Sequence, residues 1–160
     1  MKTLAPMDLE FLTNPPESME FAATIDASAA KVFEILADPG KLGLWLQDFK
    51  GANWLTEAPH GVGSKREVRL KLVTVRERFL AWEPGKRFAF VMDASSLPIV
   101  EAMGEDMRLE SRGDNRCEVR WKVCYTSTTL GKIVRPIARA IFGKLFRDSL
   151  AGLKALAERG

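Results

Sequence analysis

The stretch GVGSKREVRLKLVTVRERFLAWEPGKRFAF, Gly61–Phe90, decides the fold of this 160-residue chain. Its first part alternates: Lys65, Glu67, Arg69 and Lys71 form one row, and Arg66, Val68, Leu70 and Leu72 form the other. Period two with one polar and one apolar face marks a strand covered on one side. Val73, Val75, Glu77 and Phe79 repeat the pattern, and Phe88, Phe90 and Met92 repeat it again. Pro84 and Gly85 suit the central positions of a type II turn between the second and third runs. A two-residue loop there pairs Trp82 with Arg87, Phe79 with Phe90 and Glu77 with Met92. The first turn has no Gly, Asn or Pro. An even loop centred on Lys71–Leu72 keeps the apolar residues together, pairing Leu70 with Val73, Val68 with Val75 and Arg66 with Glu77. The arginine in the apolar row thereby faces a carboxylate.

Further along, SRGDNR (Ser111–Arg116) reads as a turn between two longer strands. An odd loop sets Leu109 opposite Cys117, Met107 opposite Val119, Glu105 opposite Trp121 and Met103 opposite Val123, with Tyr125 on the same face. After Thr126 the period becomes 3.6. Ile133, Ile137, Ile141, Leu145, Ser149 and Leu153 descend one face of a long amphipathic helix, flanked by Phe142, Phe146 and Leu150. Its regular part starts close to Pro136. Lys132, Arg135, Arg139, Lys144 and Arg147 read as its solvated face.

Upstream, MEFAATI (Met19–Ile25) is a strand, and Asp26 or Ser28 caps a helix with Ala29, Val32, Phe33 and Leu36 inward. KLGLWLQDF reads as a short second helix, and a weak strand near Lys50–Glu57 carries Trp54. Residues 1–18, with Pro6, Pro15 and Pro16, read as an irregular arm, which leaves 19–160 as a single domain. The order is strand, two helices, six strands and a long helix. That is an α+β architecture, a curved antiparallel sheet of six or seven strands wrapped around the C-terminal helix.

Composition narrows the function classes. A chain 46% hydrophobic and 28% charged is an ordinary globular protein. A net charge of +3 falls short of the dense basic field of a nucleic-acid binder. No apolar run approaches a membrane span and the N-terminus lacks a signal-peptide core, so neither membrane insertion nor export is expected. Cys117 and Cys124 share a strand, roughly 23 Å apart, too far to bridge. Free thiols suit the cytoplasm. With His60 the only histidine, no metal site or cofactor is expected.

Four segments in this order resemble the START-like, helix-grip (SRPBCC) superfamily, most closely its polyketide cyclase/dehydrase and lipid-transport family. They are ASAAKVFEILADPGKLGLWL, GVGSKREV, RERFLAWEPGKRFAF and FRDSLAGLKALAER. The resemblance implies a cavity between the sheet and the C-terminal helix. Plant hormone receptors of the superfamily carry a Glu-Arg pair on the strand matched here by Glu77 and Arg78, but their gate loop is replaced by LKLVTV. Neither a hormone-receptor mechanism nor a cyclase's catalytic set carries over.

Strand parity collects Arg66, Glu77, Glu105 and Tyr125 among Phe79, Phe90, Met92, Met103, Met107 and Trp121, with Phe142 facing them from the helix. In a purely architectural reading, Arg66 and Glu77 are an ion pair, Glu105 reaches solvent at a strand end, and the aromatics are core. In the functional reading these residues line a pocket for a small hydrophobic or aromatic ligand, bound for transport or sequestration. A second function is a metal-free cyclase or dehydratase with Glu105 as general acid or base, because it has no cationic partner. A third is a protein-interaction helper without a small ligand. Oligomeric state is not legible.

Overall fold

The computed structural model describes residues Met1–Arg159. In chain order the elements are β1 (Lys2–Thr3), α1 (Leu9–Thr13), β2 (Glu17–Ile25), α2 (Ala29–Ala37) and a 3-10 helix (Pro39–Leu44). There follow β3 (Phe49–Trp54), β4 (Lys65–Leu70), β5 (Thr74–Glu83), β6 (Arg87–Ser95), β7 (Val100–Ser111) and β8 (Cys117–Ser127). α3 (Thr129–Ile133) and α4 (Arg135–Glu158) complete the fold. The antiparallel sheet has the order β2-β8-β7-β6-β5-β4-β3. The eighth strand, beyond the expected six or seven, is β1, which pairs with Ser95 and Ala94 past the point where β7 leaves β6. The arm read as irregular therefore carries structure. Asp8 caps α1, and Leu12 is buried on the convex face beside Val91 and Cys124. Gly104 makes room for it, since a Cβ there would sit 2.7 Å from Leu12 Cδ2.

The β4–β5 hairpin has the expected register, with Arg66 opposite Glu77 and Val68 opposite Val75. At Pro84–Gly85 the type II turn forms: Gly85 has φ +72° and the Lys86 N–H donates to the Glu83 carbonyl at 2.9 Å. However, Lys86 stays outside the ladder, so Trp82 faces Phe88 rather than Arg87. A bulge between Phe79 and Ala81 cancels that offset and restores Phe79–Phe90 and Glu77–Met92. Between β7 and β8 the register is two residues from the expected one, with Leu109 opposite Val119, Met107 opposite Trp121, Glu105 opposite Val123 and Met103 opposite Tyr125. Pairing there continues to Ser111–Cys117, held by Arg112 bridging Glu110 and Glu118. A shift of two preserves the face of every side chain.

Ser28 caps α2 by accepting from the Lys31 N–H. The 3-10 helix is fastened to α4 where the Gln47 N–H donates to Ser149 Oγ at 3.0 Å. Gly152 permits this approach, because a Cβ would lie 2.7 Å from the Trp45 carbonyl oxygen. α4 packs on the concave face through Phe146, whose ring centroid lies 5.1 Å from Trp121 and 5.8 Å from Phe21. The apolar stripe expected along the helix is only half buried. Leu145, Ser149 and Leu153 face the core, whereas Ile133, Ile137 and Ile141 are exposed.

Candidate functional site

The sheet and α4 enclose a cavity of about 140 Å³. β4 contributes Arg66 and β5 contributes Glu77. Phe90 and Met92 come from β6, and Met103, Glu105 and Met107 from β7. β8 adds Trp121 and Tyr125, and α4 adds Phe142. Phe79 does not line the space. It is fully buried behind Arg66, packed on Phe88, Phe90, Trp54 and Trp82.

Arg66 is buried for a definable reason. Its Nε donates to Glu77 Oε2 at 2.8 Å, and Nη2 lies 2.6 Å from the same oxygen. Aromatic rings wall the guanidinium, with Phe79 at 5.1 Å and Phe90 at 5.7 Å. Trp54 and Phe88 each lie at 6.0 Å. Ring faces and one carboxylate offset the cost of desolvating the cation. Burial raises the Glu77 carboxyl above its usual range, and Arg66 opposes the rise. Arg78, next in the chain, points to the convex side and pairs with Asp93. Alternation thus separates the two members of the Glu-Arg dipeptide.

Glu105 does not reach solvent. It is buried, and Trp121 Nε1 donates to its Oε1 at 2.8 Å. Desolvation first, and then the neighbouring charge of Glu77, push its carboxyl up to about 8. At neutral pH this group is a carboxylic acid, able to donate as well as accept a hydrogen bond.

Sequence reasoning missed many of the lining residues, and Trp45, Arg135 and Arg139 are the ones with N–H groups to offer. Arg135 and Arg139, expected on the solvated helix face, also line the cavity, while Arg139 stays exposed and the Arg135 side chain is 43% exposed. Carrying the inward phase of Leu145, Ser149 and Leu153 back by 100° per residue finds both. Arg139 Nη1 donates to the Tyr125 hydroxyl at 2.5 Å. Arg135 pairs with Glu17, which also accepts from the Ser127 backbone and hydroxyl. Trp45 caps the 3-10 helix three residues after buried Leu42, and its indole lies 6.0 Å from Trp121. Among the described residues, the buried side-chain polar atoms without a protein partner are Trp45 Nε1, Arg66 Nη1 and Arg135 Nε. All three are N–H donors on residues that line this one cavity.

No group of three His, Cys, Asp or Glu side chains converges on a metal-sized point among the described residues. Cys117 and Cys124 are buried free thiols, and burial pushes Cys124 up to about 11. They are not nucleophiles at neutral pH. His60 stacks on Trp54 at 3.8 Å, on the outer side of the aromatic cluster.

A sheet gripping a long helix around a lined cavity defines a helix-grip domain. Residues 16–158 match the model of the polyketide cyclase / dehydrase and lipid transport family, and the chain belongs to that family. An uncharacterised protein of Mycobacterium tuberculosis is 29% identical over 143 residues, which is 89% of this chain and 80% of that one. Among solved structures, the Zhui aromatase/cyclase from a Streptomyces species superposes with a TM-score of 0.77 at 18% identity, covering 89% of this chain and 94% of that one. A START superfamily protein from Mycobacterium smegmatis gives 0.70 at 13% identity, covering 88% and 97%. At these identities the superpositions establish a shared fold.

Proposed function

We propose that the protein binds, and carries or sequesters, a small hydrophobic or amphipathic ligand in the cavity between sheet and α4. The observation carrying this reading is the set of unpartnered donors. A buried donor without an acceptor costs about 1–3 kcal/mol, so a dry core would select against several in one place. A ligand carbonyl, carboxylate or hydroxyl offers the missing acceptors at Arg66 Nη1 and Trp45 Nε1, with Tyr125 and Arg139 toward solvent. The walls of Phe90, Met92, Met103, Met107, Trp121 and Phe142 take its apolar body. At about 140 Å³, the space accommodates a single ring without widening. Native mass spectrometry of the purified protein, followed by displacement of a fluorescent hydrophobic probe, tests the reading. Saturable binding, displaced by a flat aromatic acid, is the expected result. No competable binding across a diverse panel would leave a solid core and favour the protein-interaction role.

A second reading is a cyclase or dehydratase, favoured by the Glu105 carboxyl at about 8, close to working pH. Glu105 would give a proton to, or take one from, a carbonyl substrate, with Arg66 Nη1 stabilising the enolate. The solved relative named as an aromatase/cyclase fits this reading. Glu105→Gln should then lower turnover of a cyclisation or dehydration substrate roughly 100-fold or more with binding almost intact. Equal losses would make Glu105 an anchor.

A further inference from the structure

The closing helix is amphipathic in two opposite senses. From its middle onward Leu145, Ser149 and Leu153 are buried. In its N-terminal half, and in α3 before it, Phe142 still faces the cavity but the large aliphatic side chains face out. Ile133 is 72% exposed, Ile137 65%, Ile141 45% and Leu130 47%. Over the same turns Arg135 and Arg139 line the cavity while keeping part of their side chains in solvent. One exposed isoleucine needs no explanation, but a row of them at i, i+4 and i+8 does.

We propose that this stripe is a reversible docking face for an anionic lipid membrane, which lays α3 and the first turns of α4, one wall of the cavity, against the bilayer. The proposal rests on the reading of the cavity as a site for a hydrophobic ligand, which partitions into lipid. Charge selects the occupant. Exposed Lys132, Lys144 and Arg147 lie on the helices that carry the isoleucines, and the chain is +3 overall. Lys144 shares its charge with Asp148, leaving Lys132 and Arg147 as the main cations. Such long side chains keep their heads at phosphate level while their stems lie along the apolar face. A second copy of the chain would set the same cations against each other. The stripe is also purely aliphatic, without the aromatic anchors that dominate protein interfaces. No helix among the described residues is long and apolar enough to cross a membrane, so the contact is peripheral.

Co-flotation of the full chain with vesicles of phosphatidylcholine, with and without phosphatidylserine, tests this. Phosphatidylserine should strengthen binding roughly tenfold or more, and added salt should reverse the gain. Ile137→Glu should weaken binding to the anionic vesicles by roughly tenfold or more, with an unchanged melt and unchanged probe binding in solution. No binding to anionic vesicles would overturn the proposal. So would equal binding by both proteins, or a concentration-dependent dimer that Ile137→Glu abolishes. Loss of the cavity reading would appear separately, as a native protein without vesicles that binds no probe.

Discussion

Two faces of one sheet each bury an arginine–carboxylate contact, and they do it differently. On the convex face Arg87 meets Asp106 with two parallel hydrogen bonds, Nε to Oδ1 at 2.9 Å and Nη2 to Oδ2 at 2.8 Å. Arg108 adds a third at 3.3 Å, and both arginines keep part of their side chains in solvent. On the concave face both Arg66 contacts fall on one oxygen of Glu77, both side chains are buried, and Nη1 is left unpartnered. The first arrangement is complete and serves architecture. The second has donors in excess, which an acceptor inside the cavity can satisfy.

The largest effect should come from Glu105. Its carboxyl ordinarily titrates near 4.5 and in the fold near 8. Between those values the folded chain holds a proton that the unfolded chain has released. Its stabilising contribution is therefore complete below pH 4.5 and falls as pH rises to about 8. The loss over that window is on the order of 5 kcal/mol. Melting wild type and Glu105→Gln across this range should give matching stability near pH 4 and a variant more stable by several kcal/mol at pH 8. Parallel curves would mean that Glu105 is hydrated and ionised.

Next comes the Arg66–Glu77 pair. A dry Arg66–Glu77 pair would lose about 3–5 kcal/mol on Arg66→Ala, because Glu77 would be stranded. With a water- and ligand-accessible cavity the loss should be nearer 1–2 kcal/mol. Denaturant melts of Arg66→Ala, Glu77→Ala and the double variant distinguish the cases. A severe single-variant loss relieved in the double would return the pair to architecture. Smallest is the exposed pair Arg116–Asp26, where Arg116→Ala should change stability by less than about 0.5 kcal/mol.

How much was legible follows from period two. Strand parity alone places Arg66, Glu77, Glu105 and Tyr125 inward, and it survives even the two-residue register error between β7 and β8, because a shift of two flips nothing. Parity cannot measure depth, so it put Phe79 in the cavity wall and could not choose between a Glu105 that reaches solvent and one that lines the cavity. Hydrophobic periodicity also failed on α4. Its isoleucines read as core because an i, i+4 ladder drifts by about 40° per step, so followed back from Leu145 it carries Ile141, Ile137 and Ile133 round to the outer face. The α1 turn and β1 are too short for any periodic signal, and their stability comes from contacts with β6 and β7 that only the fold supplies.

The central claim is that the concave arginine serves a ligand and the convex one serves the sheet. Titrating the same fluorescent probe into wild type, Arg66→Ala and Arg87→Ala tests it most directly, with an aromatic carboxylate as competitor. The account predicts that Arg66→Ala weakens the competitor roughly tenfold or more, the scale of a lost charge-assisted hydrogen bond, while Arg87→Ala leaves it unchanged. Equal affinities in all three proteins would contradict it.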